Sequence, residues 1–255
     1  MITDNIVNLA AEAGKIMLEN GGETYRVEQT INMICKSYGI DNAESFVSPT
    51  AIITSTMDEN GRNSTIIKRI TSRATDLEKV ALINNLSRQI QSHPLTLDEL
   101  RKELKYIRSF PKYSNSIKTF FAGVTTGTFT LLFGGSLSDF IIAFGAGVLI
   151  NLLSSMLSRL SVNEFFINVA GGALAAIIGL FFSYINPIFH KDEIIIGSIM
   201  LLVPGLVITN AIRDTISGDL LSGLSRTLEA IMIAGAIAIG AAFSFKIWMS
   251  ILGGM

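Results

Sequence analysis

Apolar positions along the chain keep three different rhythms. In the first segment Ile2, Ile6, Leu9, Ala13 and Ile16 recur at helical spacing, and Asn20-Gly21-Gly22 follows with residues that tolerate a left-handed helix end. A second helix is expected from about Thr24, with Val27, Ile31, Ile34 and Tyr38 as its buried stripe and Gly39 as its stop. The period then shortens. Ser45-Phe46-Val47-Ser48 and Ala51 to Met57 are rich in β-branched residues, Asp58-Glu59-Asn60-Gly61 is a turn signal, and Ser64 to Ile70 resumes a strand. The pattern predicts a small antiparallel sheet.

Two further helices follow, each opened by a predicted capping box, Thr75-x-x-Glu78 and Thr96-x-x-Glu99. Their stripes are Leu77, Val80, Ile83, Leu86 and Ile90, then Leu97, Leu100, Leu104 and Ile107. Pro94 separates them and Pro111 ends the second.

From there the alternation gives way to five long hydrophobic runs, roughly 117–133, 140–158, 165–185, 194–212 and 227–245. Each approaches the ~20 residues that a helix needs to cross a hydrocarbon core at 1.5 Å per residue. The expected fold is an α-helical integral membrane protein with five transmembrane helices, preceded by a small cytoplasmic α+β domain. The domains are 1–112 and 113–255.

Charge follows the same division. Residues 1–115 hold 28 of the 41 Asp, Glu, Lys and Arg residues, and the net charge of -1 gives no reason to expect nucleic acid as a partner. Lys105, Arg108, Lys112, Lys118, Arg159, Arg213 and Arg226 flank the runs on one side, against Lys191 and Lys246 on the other. That excess favours a cytoplasmic N-terminus and, after five spans, an external C-terminus. Residues 1–20 read as an amphipathic helix, not a signal peptide, so the N-terminal domain is expected to stay in the cytoplasm. Cys35 is the single cysteine, in keeping with a reducing compartment.

Candidate chemistry is sparse in the polar half. His93 is its only histidine, and neither a Ser-His-Asp arrangement nor paired metal-ligand spacing is present, so no cofactor or metal is expected. Glu23, Arg26 and Glu28 could contact something polar, or simply be solvated charges of a surface helix.

In the apolar half, Gly123-x-x-x-Gly127, Ala170-Gly171-Gly172-Ala173 and Gly235-Ala236-x-Ala238-x-Gly240 read first as helix-packing surfaces. Asn151 and Asn168 must find partners among other helices or in a polar cavity. The fourth run differs, because Pro204-Gly205 should break or kink it. Such a break can offer free N–H groups to a carboxylate, or be a kink repaired by its neighbours. Thr209, Asn210, Arg213, Asp214 and Asp219 follow, with Asn210, Arg213, Asp214 and Ser217 on one broad helix face. They are read as lining an inward-facing cavity, although an ordinary cytoplasmic loop would also be charged.

The chain resembles the threonine/serine exporter family, and within it the split form whose larger subunit is YjjP-like. The resemblance is carried by Gly14 to Gly22 running into Glu23-Thr24-Tyr25-Arg26-Val27-Glu28, by Leu132-Phe133-Gly134-Gly135-Ser136 with Asp139, and by Leu202-Val203-Pro204-Gly205 through Arg213-Asp214 to Gly218-Asp219. It implies a secondary exporter of small hydrophilic carboxylates, with threonine and serine as favoured substrates and succinate as an alternative. Full-length members have about ten spans. The five expected here imply a separate, smaller YjjB-like membrane subunit as partner, in the bacterial inner membrane.

On this reading Pro204, Gly205, Thr209, Asn210 and Arg213 bind substrate, and Asp214 or Asp219 exchanges protons. No GxxxxGK[ST] loop is present, which disfavours ATP drive within the chain. The alternative is a membrane-anchored enzyme or small-ligand sensor acting through residues 1–110.

Overall fold

The computed structural model describes residues 2–57, 61–111 and 113–252, and for Ile2 and Leu252 the backbone alone. The turn expected at Asp58-Glu59-Asn60, the side chain of Ile2 and the flanking Lys112 lie outside the described residues.

The elements are α1 (Ile2–Glu19), α2 (Thr24–Ser37), β1 (Glu44–Ser48), β2 (Ala51–Met57), β3 (Asn63–Arg69), α3 (Leu77–Ser92), α4 (Leu97–Arg108), α5 (Asn115–Leu132), α6 (Leu137–Arg159), α7 (Glu164–Ile185), α8 (Lys191–Ile199), α9 (Gly205–Ile216) and α10 (Leu220–Leu252). They form two compact units. The first holds residues 1–111 together with 206–228, and the second holds 112–205 and 229–255. The first unit runs unbroken to Pro111, and α9 from Leu206 with the first turns of α10 groups with these N-terminal elements.

In the first unit α1 and α2 form a hairpin turned at Asn20-Gly21-Gly22. Gly21 has φ +98°, and the Asn20 amide donates to the Ile16 carbonyl at 2.6 Å. Gly14 allows the pair to close, since a Cβ there would lie 2.6 Å from the Ile31 side chain. Gly39, at φ +79°, follows the end of α2. The three strands form an antiparallel meander, β1-β2-β3, with Phe46 opposite Ile53 and Ile53 opposite Ile67. Val47 and Ile52 of the sheet join Val7, Ile16, Val27, Ile31, Ile83 and Leu100 in one apolar core.

The capping box at Thr96-Glu99 forms as expected. The one expected at Thr75 does not. Asp76 caps α3 by accepting from the Lys79 N–H, so the helix starts one residue later than expected and Leu77 is exposed. A carboxylate one residue nearer the first turn also complements the helix dipole.

In the second unit the glycine motifs work as packing surfaces. A Cβ on Gly123 would meet the Phe144 ring at 2.8 Å, and one on Gly127 would meet the Phe140 ring at 2.7 Å, which seats α5 against α6. The Thr126 hydroxyl completes that seam by donating to the Ala143 carbonyl at 2.7 Å, and the Asn151 amide donates to Thr119 Oγ1 at 2.8 Å. On α7 a Cβ at Gly172 would strike the backbone of Ile237, whereas Gly235 of α10 has open space beside it. Asn168 is buried on α7.

Among the described residues three helices are long and apolar enough to cross a membrane: Leu137–Arg159, Glu164–Ile185 and Leu220–Ile251. Their outer faces carry exposed apolar side chains such as Ile141, Leu149, Phe166, Phe181, Ile231 and Phe243, which suit a hydrocarbon solvent. Two of the five expected spans do not appear in this set. Asn115, Lys118 and five threonines dilute the apolar content of the 18-residue α5. The fourth run is divided between the nine-residue α8 and α9, with residues 200–204 between them. The expected break at Pro204-Gly205 is therefore a complete helix interruption.

Candidate functional site

The charged end of the fourth run folds onto the α1–α2 turn. Asp214 is fully buried, and its carboxylate accepts two hydrogen bonds from Thr24 and pairs with the Arg226 guanidinium. The Thr24 N–H reaches Oδ1 at 3.1 Å, the Thr24 hydroxyl reaches Oδ2 at 3.0 Å, and Arg226 Nε lies 2.9 Å from Oδ2. Arg226, itself buried, also donates from Nη2 to the Gly22 carbonyl at 3.1 Å. Asn210, one helical turn before Asp214, donates to the Gly21 carbonyl at 3.0 Å. Three residues of the α9–α10 hairpin thus satisfy backbone groups that the turn and the start of α2 leave open, as buried peptide groups require.

Beside this anchor lies an ion-pair chain. Arg213 Nη1 pairs with Glu23 Oε1, and Glu23 Oε2 lies 3.3 Å from Arg26 Nε. Burial works to raise the Glu23 carboxyl, but the Tyr25 hydroxyl and the two arginines outweigh it and hold it below its ordinary range. Arg213 is the exposed end of the chain, at 56% of its side-chain surface.

A second group of carboxylates sits with the same elements. Glu28 accepts from the Val47 N–H at 2.9 Å, while the Ser222 hydroxyl of α10 donates to the Val47 carbonyl at 3.5 Å. Burial pushes the Glu28 carboxyl up; the Val47 N–H opposes the shift, and the charges of Asp219 and Asp214 add to it. Asp219 is also raised, by burial first and then by Asp214.

The structure therefore brings Glu23, Arg26, Glu28, Asn210, Arg213, Asp214 and Asp219 into one unit. Ser217, in the turn just after α9, is exposed, as is Thr209 on that helix. Pro204 and Gly205 fall in the second unit. Sequence reasoning gave Thr24 and Ser222 no role and took Arg226 only as a flanking charge. The available signal was an arginine near the start of a long, mainly apolar helix, one turn after a serine. Among the described residues no cluster of three or more His, Cys, Asp or Glu side chains is placed to hold a metal ion.

Residues 8–248 match the family described as "Putative threonine/serine exporter". The chain belongs to the threonine/serine exporter family. This is a family of membrane transporters, not of enzymes, in agreement with the apolar helices above. Among its relatives, the "Probable threonine/serine exporter" of Mycobacterium tuberculosis is 24% identical over 96% of this chain and 46% of that protein. The "Threonine/serine exporter" of Corynebacterium glutamicum is 23% identical over 95% of this chain and 51% of that protein. The "Probable succinate transporter subunit YjjP" of Escherichia coli is 24% identical over 95% of this chain and 94% of that protein. The chain thus spans about half the length of the two exporters, but nearly all of the YjjP relative. No solved structure matches this family member.

Proposed function

We propose that the chain is the larger subunit of a two-component secondary exporter of small hydrophilic carboxylates in a bacterial inner membrane. The observation that carries this reading is the difference in coverage, about half of the single-chain exporters against 94% of a protein named as a transporter subunit. A smaller YjjB-like membrane subunit would supply the other half. Threonine- and serine-type amino acids are the favoured substrates, with succinate as the alternative, and the proton-motive force drives export.

The proposed topology keeps five spans, counting α5 and the interrupted α8–α9 run, with the N-terminus cytoplasmic and the C-terminus outside. The grouping of residues 206–228 with 1–111 supports it, because five spans from an inner N-terminus place the α9–α10 turn on the cytoplasmic side. At the site, the start of α9 after Pro204-Gly205 offers backbone N–H groups and Thr209 offers a hydroxyl. Arg213 receives the substrate carboxylate in exchange for Glu23. Asn210 and Asp214 hold the helix in place. Asp219, not Asp214, exchanges the proton on this side, since both oxygens of Asp214 are already engaged.

Efflux tests the proposal. Cells expressing the chain with its partner are preloaded with a threonine- or serine-containing dipeptide, or with succinate. Export is expected to depend on both subunits and to fall at least tenfold in Arg213→Ala, the loss of one charge-assisted bond of about 1.5–3 kcal/mol. Unchanged efflux in both Arg213→Ala and Asp219→Asn would remove the assigned roles.

A further inference from the structure

At the other end of the fourth run Asp139 and His190 meet across 51 positions of sequence. Asp139 is fully buried on the first turn of α6 and takes four donors. The Ser136 N–H and hydroxyl reach Oδ2 at 2.8 and 2.7 Å, closing a capping box. The His190 N–H reaches Oδ1 at 2.9 Å, and His190 Nδ1 lies 2.8 Å from Oδ2. His190 is also the N-cap of α8, yet its side chain makes no capping bond to that helix. Its ring is committed to α6 and remains 54% exposed.

The segment it ties down is closely packed. A Cβ on Gly179 of α7 would lie 3.1 Å from the Lys191 carbonyl, and one on Gly197 of α8 would strike the Thr130 side chain. The charged groups acting on the ring are Asp139 from α6 and Glu193 from α8, with Lys191 and Asp192 beside it on its own turn. The α5–α6 turn, Phe133-Gly134-Gly135-Ser136, and the end of α7, Tyr184 to Phe189, carry no charged side chain.

We propose that His190, held by Asp139, is the site at which the coupling proton enters from the outer face of the membrane. This rests on the exporter reading and its five-span topology, which place the α5–α6 and α7–α8 turns both outside. The direct Asp139–His190 bond agrees with that placement, because the two residues must share one side. With Nδ1 donating to the carboxylate, Nε2 is the ring atom left to take a proton from external water. Protonation adds one N–H bond, breaks none, and turns a hydrogen bond from a neutral ring to a carboxylate into an imidazolium–carboxylate pair.

The start of α8 is then clamped to α6, immediately before the break that leads to α9. Asp139 holds the imidazole above its ordinary range through its hydrogen bond and its charge, with a smaller push from Glu193. The ion pair is therefore complete below about pH 6.5, the ordinary histidine value, and the clamp is weakened to its hydrogen bonds alone as the outer pH climbs through the raised value.

Two measurements test this on the full chain. Nitrogen-15 NMR of labelled histidine in nanodiscs, with the His190 signal identified by its loss in His190→Gln, is expected to show a midpoint above about 6.5 that moves down in Asp139→Asn. A midpoint at or below the ordinary value overturns the proposal, and this measurement does not depend on transport. Efflux with the partner subunit, read against outer pH at fixed inner pH, is expected to rise as the outside is acidified. In His190→Gln that dependence is lost, and efflux at acidic outer pH falls toward the level that the unaltered pair shows at alkaline outer pH. A pH profile unchanged by His190→Gln overturns the role of His190 as the proton-entry site. Absence of export from the wild-type pair sinks the exporter reading instead. Asp139→Asn removes a buried cap and can unfold the chain, so His190→Gln, at a half-exposed ring, is the deciding variant.

Discussion

Asp214 has no exposed surface, and the groups that engage it come from Thr24 on α2 and Arg226 on α10. A buried ion pair of this kind gives little net stability relative to an apolar pair, because both ions lose their hydration. Breaking it leaves a charge with no compensation. Asp214→Ala is therefore expected to destabilise the first unit by about 3–5 kcal/mol. The double replacement Asp214→Leu with Arg226→Met should cost far less than the sum of the two single changes. Thermal or denaturant unfolding of the four proteins in detergent checks this, and additive losses would mean the pair is not coupled. Arg213 is the contrasting residue. It is exposed, and its partner Glu23 is shared with Arg26, so Arg213→Ala should affect transport much more than stability.

At the scale of elements, backbone approach decides which glycines matter. A Cβ on Gly147 of α6 would lie 2.6 Å from the Ala122 carbonyl and would strike the Thr126 side chain, whereas Gly145 on the same helix has nothing within 4 Å. Gly147→Ala is expected to destabilise the α5–α6 pair by about 1–3 kcal/mol through overpacking. Gly145→Ala should be neutral, or stabilising by up to about 1 kcal/mol through helix propensity. Opposite signs in unfolding measurements support the close-packed seam, and equal effects would remove it.

The sequence could locate such motifs but could not rank the glycines within them. Gly235 belongs to a small-residue motif as clear as that of Gly123, yet only Gly123 meets a neighbouring helix. Helix ends and strands were legible because their causes are local: the Thr96-Glu99 box, the left-handed Gly21 and the β-branched run in β2. Where two capping residues are adjacent, as at Thr75 and Asp76, local pattern does not choose between them. The bonds from Thr24 to Asp214 and from His190 to Asp139 join residues 190 and 51 positions apart, and no local periodicity encodes such pairs.

For the whole molecule, the first unit is discontinuous in sequence. Its N-terminal 111 residues carry a single apolar core and four of its helices, but residues 206–228 supply Asn210, Asp214, Ser222 and Arg226. Without that hairpin, the Gly21, Gly22 and Val47 carbonyls and the Thr24 N–H lose the partners recorded here. Solvent can satisfy them, so the isolated 1–111 segment retains its core while the α1–α2 turn and the start of α2 lose support.

A fragment of residues 1–111 is therefore expected to unfold at lower temperature than the same fragment joined by a flexible linker to 206–228. Faster amide exchange should be confined to residues near 20–28 and 47. Introducing Asp214→Ala into the linked fragment should return both readings to those of 1–111. If the linked and unlinked fragments melt together, the hairpin does not belong to this unit.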